Sequence, residues 1–83
     1  MKLPATITRD WLVALSDTDL VDAEARLHQM FGVLERRNKK AFGAHYSLFR
    51  GPADLLAAWD RWSRVSQITR ERGLRPRRAT PTS

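Results

Sequence analysis

From Leu20 onward the apolar positions are Leu20, Ala23, Leu27, Met30, Phe31 and Leu34, then Ala41, Phe42, Leu48 and Phe49. At about 100° of rotation per residue they fall in one sector of a helical wheel without a change of phase. The pattern predicts one long helix from 17 to about 50, unbroken through the polar stretch 38–40. Gly32 and Gly43 each cost roughly 1 kcal/mol relative to alanine inside a helix, so a kink or break near 38–43 is the alternative. Ahead of this helix, Trp11, Leu12 and Leu15 share one side, and Thr8 is placed to cap a short helix over 9–15. Ser16 is the expected N-cap of the long helix. Asp19 stands three residues later in a relative of the capping box, and the acids at 17, 19 and 22 suit the positive helix end.

Gly51 and Pro52 mark the clearest boundary, glycine ending one helix and proline entering the first turn of the next. The third helix is predicted over 52–72, closed by Gly73 and Leu74 in a Schellman ending. Its apolar face is Leu55, Ala58, Trp59, Trp62 and Val65, continued by Ser66 and Thr69. No stretch alternates as a half-buried strand would, so the fold class is all-α. The expected architecture is a short N-terminal helix plus a long antiparallel αα-hairpin, in a single domain over 1–74, followed by a disordered basic tail at 75–83. Folding about 50–53 sets Phe49 opposite Leu55, Phe42 opposite Trp62 and Asn38 opposite Ser66, so both helices carry a polar residue at one level. The acidic first half of the second helix would then overhang, leaving Leu20, Leu27 and Phe31 to be covered by the first helix or by a second copy in a homodimer.

Length and charge narrow the class. Eighty-three residues make one small domain, which buries roughly two-thirds of its unfolded surface at best. There is no cysteine, hence no disulfide framework and no thiolate zinc site. No segment approaches the ~20 apolar residues of a membrane span, and the start lacks signal-peptide features, which predicts a cytoplasmic protein. The net charge is +6, unevenly placed. Residues 1–34 hold three basic and five acidic side chains, and 35–83 hold twelve and four. An acidic partner is implied.

Chemistry of the catalytic kind finds no support in the residue pattern. His28 and His45 have no carboxylate at metal-ligand spacing, no glycine-rich phosphate loop occurs, and no nucleophile has a base beside it. No catalytic, cofactor or metal site is expected. His45 falls in the predicted hairpin seam, and "RRAT" is a weak kinase-site match. Trp59 and Trp62 coincide with Leu55 and Val65 on the wheel and are expected in the core rather than stacked on bases. "VSQITRERGL" resembles the first half of a helix-turn-helix, but the proline-bearing tail cannot supply a recognition helix. Two binding surfaces remain. Arg61, Arg64, Ile68 and Arg72 form a stripe off the core face, cationic around one apolar residue, whose alternatives are a docking stripe and a solvated face held by Asp60 and Arg64. Ala25, Gly32 and Gly43 share a flank of the second helix, where small residues would let another helix approach closely.

With "RDWLVALSDTDLVDAEARLHQMF" and "GAHYSLFRGPADLLAAWDRWSRV" in view, the chain resembles the small QseM-type antiactivators carried on rhizobial integrative and conjugative elements. The similarity covers most of 9–74 and rests on overall pattern. It implies a non-enzymatic, cofactor-free protein that represses element excision and transfer by binding transcriptional activators, among them a LuxR-type quorum-sensing activator. It supplies no contact residues. A shorter likeness links "LLAAWDRWSRVSQITRERGL" to the last helix of some phage small terminase subunits. The rival expectation is a small basic nucleic-acid-binding regulator using Arg61, Arg64, Arg72 and the tail on phosphates.

Overall fold

Thr8 and Ser16 open the first two helices as their chemistry dictates. Thr8 is extended (φ −108°, ψ 155°) and its hydroxyl oxygen accepts from the Trp11 N–H at 3.2 Å, starting α1 (Arg9–Val13). Ser16 Oγ accepts from the Asp19 N–H at 3.1 Å and starts α2 (Asp17–Phe42), which has Asp17 and Asp19 in its first turn and Lys39 and Lys40 in its last. A third helix, α3, runs Ala53–Glu71. In this computed structural model residues 3–45 and 53–77 are described, and among them there is no strand.

α2 passes through 38–40 without a break, as its unshifted apolar phase predicts. It ends at Phe42 and not near residue 50. Gly43 takes φ 55°, ψ −125°, a conformation open to glycine and closed to most side chains, and the backbone tightens into a 3-10 turn at Gly43–His45. α1 likewise closes earlier than expected, with Ala14 as its C-cap. At the end of α3, Gly73 has φ 70°. The Leu74 N–H reaches the Thr69 carbonyl at 2.9 Å and the Gly73 N–H the Arg70 carbonyl at 3.0 Å, which is the expected Schellman ending.

Packing follows the wheel but not the expected register. Leu20, Ala23, Leu27 and Phe31 of α2 are buried against Leu55, Ala58 and Val65 of α3, in two clusters that share Trp62 at their boundary. Each of the leucine, valine and phenylalanine side chains contributes about 1.5–3 kcal/mol on burial, and the alanines less. Trp62 stacks on Phe31, with centroids 5.6 Å apart and planes 9° apart, and meets the His28 ring edge-on at 5.1 Å. Phe42, its expected neighbour, is instead half exposed. The expected Asn38–Ser66 pair does not form: Asn38 Nδ2 donates to the Leu34 carbonyl, and Ser66 Oγ accepts from Arg70. The helix break at Gly43 is the reason. Once α2 stops there, counting outward from a turn at 50–53 no longer fixes which residues face each other.

The overhang is reversed as a result. The acidic first half of α2 lies under the C-terminal half of α3, with Val65 and Ile68 in one cluster with Leu20, Ala23 and Leu27. The segment before α1 and α1 itself complete that cluster through Ile7 and Leu12, with Leu3 and Trp11 packed on its edge. Residues 75–77 return beside α2, where Arg77 Nη2 bonds Asp22 at 2.8 Å. The expected Phe49–Leu55 contact, the boundary at Gly51 and Pro52, the His45 side chain and the tail from 78 onward lie outside the described residues.

Candidate functional site

The stripe of Arg61, Arg64, Ile68 and Arg72 exists, but the chain's own N-terminal segment occupies most of it. Ile68 is 3% exposed and belongs to the core with Ile7 and Leu12, which corrects the expectation that it points away from the core. Arg72 is an internal bracket. Its Nη1 donates to the Leu15 carbonyl at 2.9 Å and to Asp17 Oδ1 at 3.1 Å, and its Nη2 to the Val13 carbonyl at 2.9 Å. Arg61 Nη2 donates to the Pro4 carbonyl at 3.2 Å, while its Nε is buried without a partner. Arg9 and Glu71 add an exposed pair between α1 and α3. Arg64 alone of the four faces solvent, paired with Asp60 at 3.0 Å. The physical reason is simple: α1 lies against a second flank of α3, so a wheel drawn for one neighbour misassigns that flank.

On α2, Ala25 and Gly32 line one shallow groove of about 630 Å³, together with His28, Gln29, Arg36 and Arg77. A Cβ on Gly32 would meet nothing within 4 Å, so packing inside the chain does not require a glycine there. Gly43 is not part of this groove; its place is the helix end, where positive φ explains it.

The outer side of α2 carries the feature that the expected sites did not include. Lys39 pairs with Glu35 and Arg26 with Asp22, each one turn apart, but Arg36, Arg37 and Lys40 have no ion pair or hydrogen bond among the described residues. No acid stands three or four positions from any of these three, a signal present in "ERRNKK" itself. Met30, expected among the core positions, is 46% exposed on the side of Arg37 and Lys40, while Arg36 lies farther round, in the Ala25–Gly32 groove. The last three turns of α2 therefore present cations that the described residues leave unanswered, two of them on the side of a half-exposed apolar side chain.

Beneath the opposite face lies an acid that the wheel reading passed over. Glu24 is fully buried and accepts a hydrogen bond from Trp62 Nε1 at 2.8 Å. Its position, four after Leu20 and three before Leu27, puts it on the packed seam, and that spacing was its only signal. Complete burial gives its carboxylate a part in joining α2 to α3 and no path to a substrate. Among the described residues no three His, Asp or Glu side chains gather as a metal site, and no helix is long and apolar enough to cross a membrane.

Fold and surface together define an all-helical protein, a helical hairpin braced by its N-terminal segment and basic on one outer side. Searched against protein-family models, curated proteins and solved structures, the chain has no match.

Proposed function

We propose that the protein is a non-enzymatic, cofactor-free antiactivator that binds a transcriptional activator in the cytoplasm and silences it. The observation that carries this reading is the set of cations without a partner among the described residues, Arg36, Arg37 and Lys40, of which Arg37 and Lys40 share a side with half-exposed Met30, on a helix whose other side is locked into a core. Apolar contact surface flanked by cations fits an acidic protein surface, with the apolar part excluding water and the charges steering encounter. The resemblance to QseM-type antiactivators supplies the kind of partner: a LuxR-type quorum-sensing regulator or an excision activator, whose capture would repress transfer of a mobile element.

The same three cations favour a second reading, a small nucleic-acid-binding regulator, because unpaired arginine and lysine side chains are what phosphates recruit. Mixing the purified protein with the LuxR-type activator of the same cell and that activator's promoter DNA tests both. An antiactivator dissolves the activator–DNA complex and elutes with the activator. A phosphate binder shifts the DNA by itself, and its affinity falls steeply with salt. A protein that does neither is no antiactivator of that regulator.

A further inference from the structure

α2 carries two seams. The inner one, Leu20, Glu24, Leu27, Phe31, Leu34 and Asn38, steps 4-3-4-3-4 and is the line packed in the hairpin. The outer one, Arg26, Met30, Val33, Arg37 and Lys40, steps 4-3-4-3 and lies about 120° around the helix. Steps of this kind keep a seam facing one straight neighbouring helix over several turns. Four of the five outer residues are exposed and Val33 is half-buried, so the seam has no partner helix within the described fold. Its ends are cationic, with Arg37 and Lys40 unpaired among the described residues at one end and Arg26 held by Asp22 at the other. Its middle is apolar.

We infer that this outer seam is where a partner docks as a single amphipathic helix, with aliphatic residues one turn apart at its centre and carboxylates toward its ends. The inference rests on the antiactivator reading and names the surface and the partner chemistry for it. Charge decides between occupants. A second copy packed seam to seam would set Arg26, Arg37 and Lys40 against their own kind, at a cost in like-charge repulsion. Nucleic acid would answer the cations but not Met30 and Val33, which it would leave wet or poorly packed. An acidic helix answers both. Long arginine and lysine stems then cover the apolar centre while their charged ends meet the carboxylates.

The test uses the full-length protein and a synthetic 21-residue helical peptide with leucines at heptad a and d positions and glutamates flanking them. Its comparators are a scrambled peptide of equal composition and a short DNA duplex, measured by titration calorimetry. The expected result is binding of the helical peptide only, weakened about ten-fold by Met30→Asp and by Arg37→Glu with Lys40→Glu, the size of loss that marks a contact carrying binding energy. A lysine-flanked peptide should regain binding to the double-Glu protein. Because these side chains face outward, helicity by circular dichroism is expected to stay at the parent level, and Gln29→Asp on the neighbouring surface serves as a charge control. Equal binding of both peptides, indifference to Met30→Asp, or tighter binding of the duplex lost only with the cations would overturn the proposal. The two levels separate cleanly. If the peptide occupies the seam but no activator is silenced, the antiactivator reading fails and the seam stands. If an activator is silenced equally by the Met30 and Arg37–Lys40 variants, the seam fails and the function stands.

Discussion

Replacing Trp62 by phenylalanine tests how α2 and α3 are held together. The variant keeps a ring to stack on Phe31 and loses the N–H that reaches Glu24 at 2.8 Å. Glu24 is fully buried, so the freed acceptor site is shut off from bulk solvent. Losing a hydrogen bond to such a carboxylate costs about 1.5–3 kcal/mol, and the smaller ring adds up to about 1 kcal/mol through lost contact and cavity. The sum, about 1.5–4 kcal/mol, is a large part of the ~4–12 kcal/mol expected of a chain this size. In urea, with a slope near 1 kcal/mol per molar, the unfolding midpoint should fall by about 1.5–4 M, followed by circular dichroism at 222 nm. Trp62→Ala sets the outer limit at about 3–5 kcal/mol. A double-mutant cycle with Glu24→Leu, which has no oxygen to accept the bond, should return a coupling of about 1–2 kcal/mol, which isolates the bond from the packing. A phenylalanine variant within about 0.5 kcal/mol of the parent would refute the view that the Trp62–Glu24 bond joins the helices.

Two further substitutions probe other joints. Gly32→Ala places a methyl group in open space on a helix interior, so stability should rise by about 0.5–1 kcal/mol; a fall in melting temperature would mean that the groove is tighter than its geometry indicates. Arg72→Ala removes donors from the Val13 and Leu15 carbonyls and from Asp17, and should cost about 2 kcal/mol, or about 10 °C in melting temperature, with loss of the near-ultraviolet signal of Trp11; an unchanged melt would show that α1 is held by its apolar contacts alone.

Helix positions were legible because caps and periodicity are local. Thr8, Ser16 and the Gly73–Leu74 pair act within a few residues of themselves, and no distant contact can overrule them cheaply. The inner seam was legible for the same reason. Register was not. It depended on where α2 ends, and Gly43, already marked as a possible break, ended it before the turn from which the pairing was counted. Ile68 and Arg72 were misassigned because a wheel drawn for a hairpin has one buried side, whereas α3 touches α2 on one flank and the N-terminal segment on another. The unpaired state of Arg36, Arg37 and Lys40 could be read from the missing acids one turn away. That their side of α2 would be free of the hairpin depended on the true register.

Arg72 also bears on the order in which the molecule assembles. Its bonds to Val13 and Leu15 join residues 59 and 57 positions apart in the chain, and they need the end of α3 and the end of α1 both formed and adjacent. Closing so long a span is entropically costly before the hairpin exists. With α1 adding its few contacts to a hairpin that already holds most of the core, the hairpin is expected to condense first and α1 to dock late, on the native side of the folding barrier. Interactions made there do little to speed folding and much to slow unfolding. The guanidinium acts as a latch, lengthening the lifetime of the folded state while leaving the rate of reaching it almost untouched.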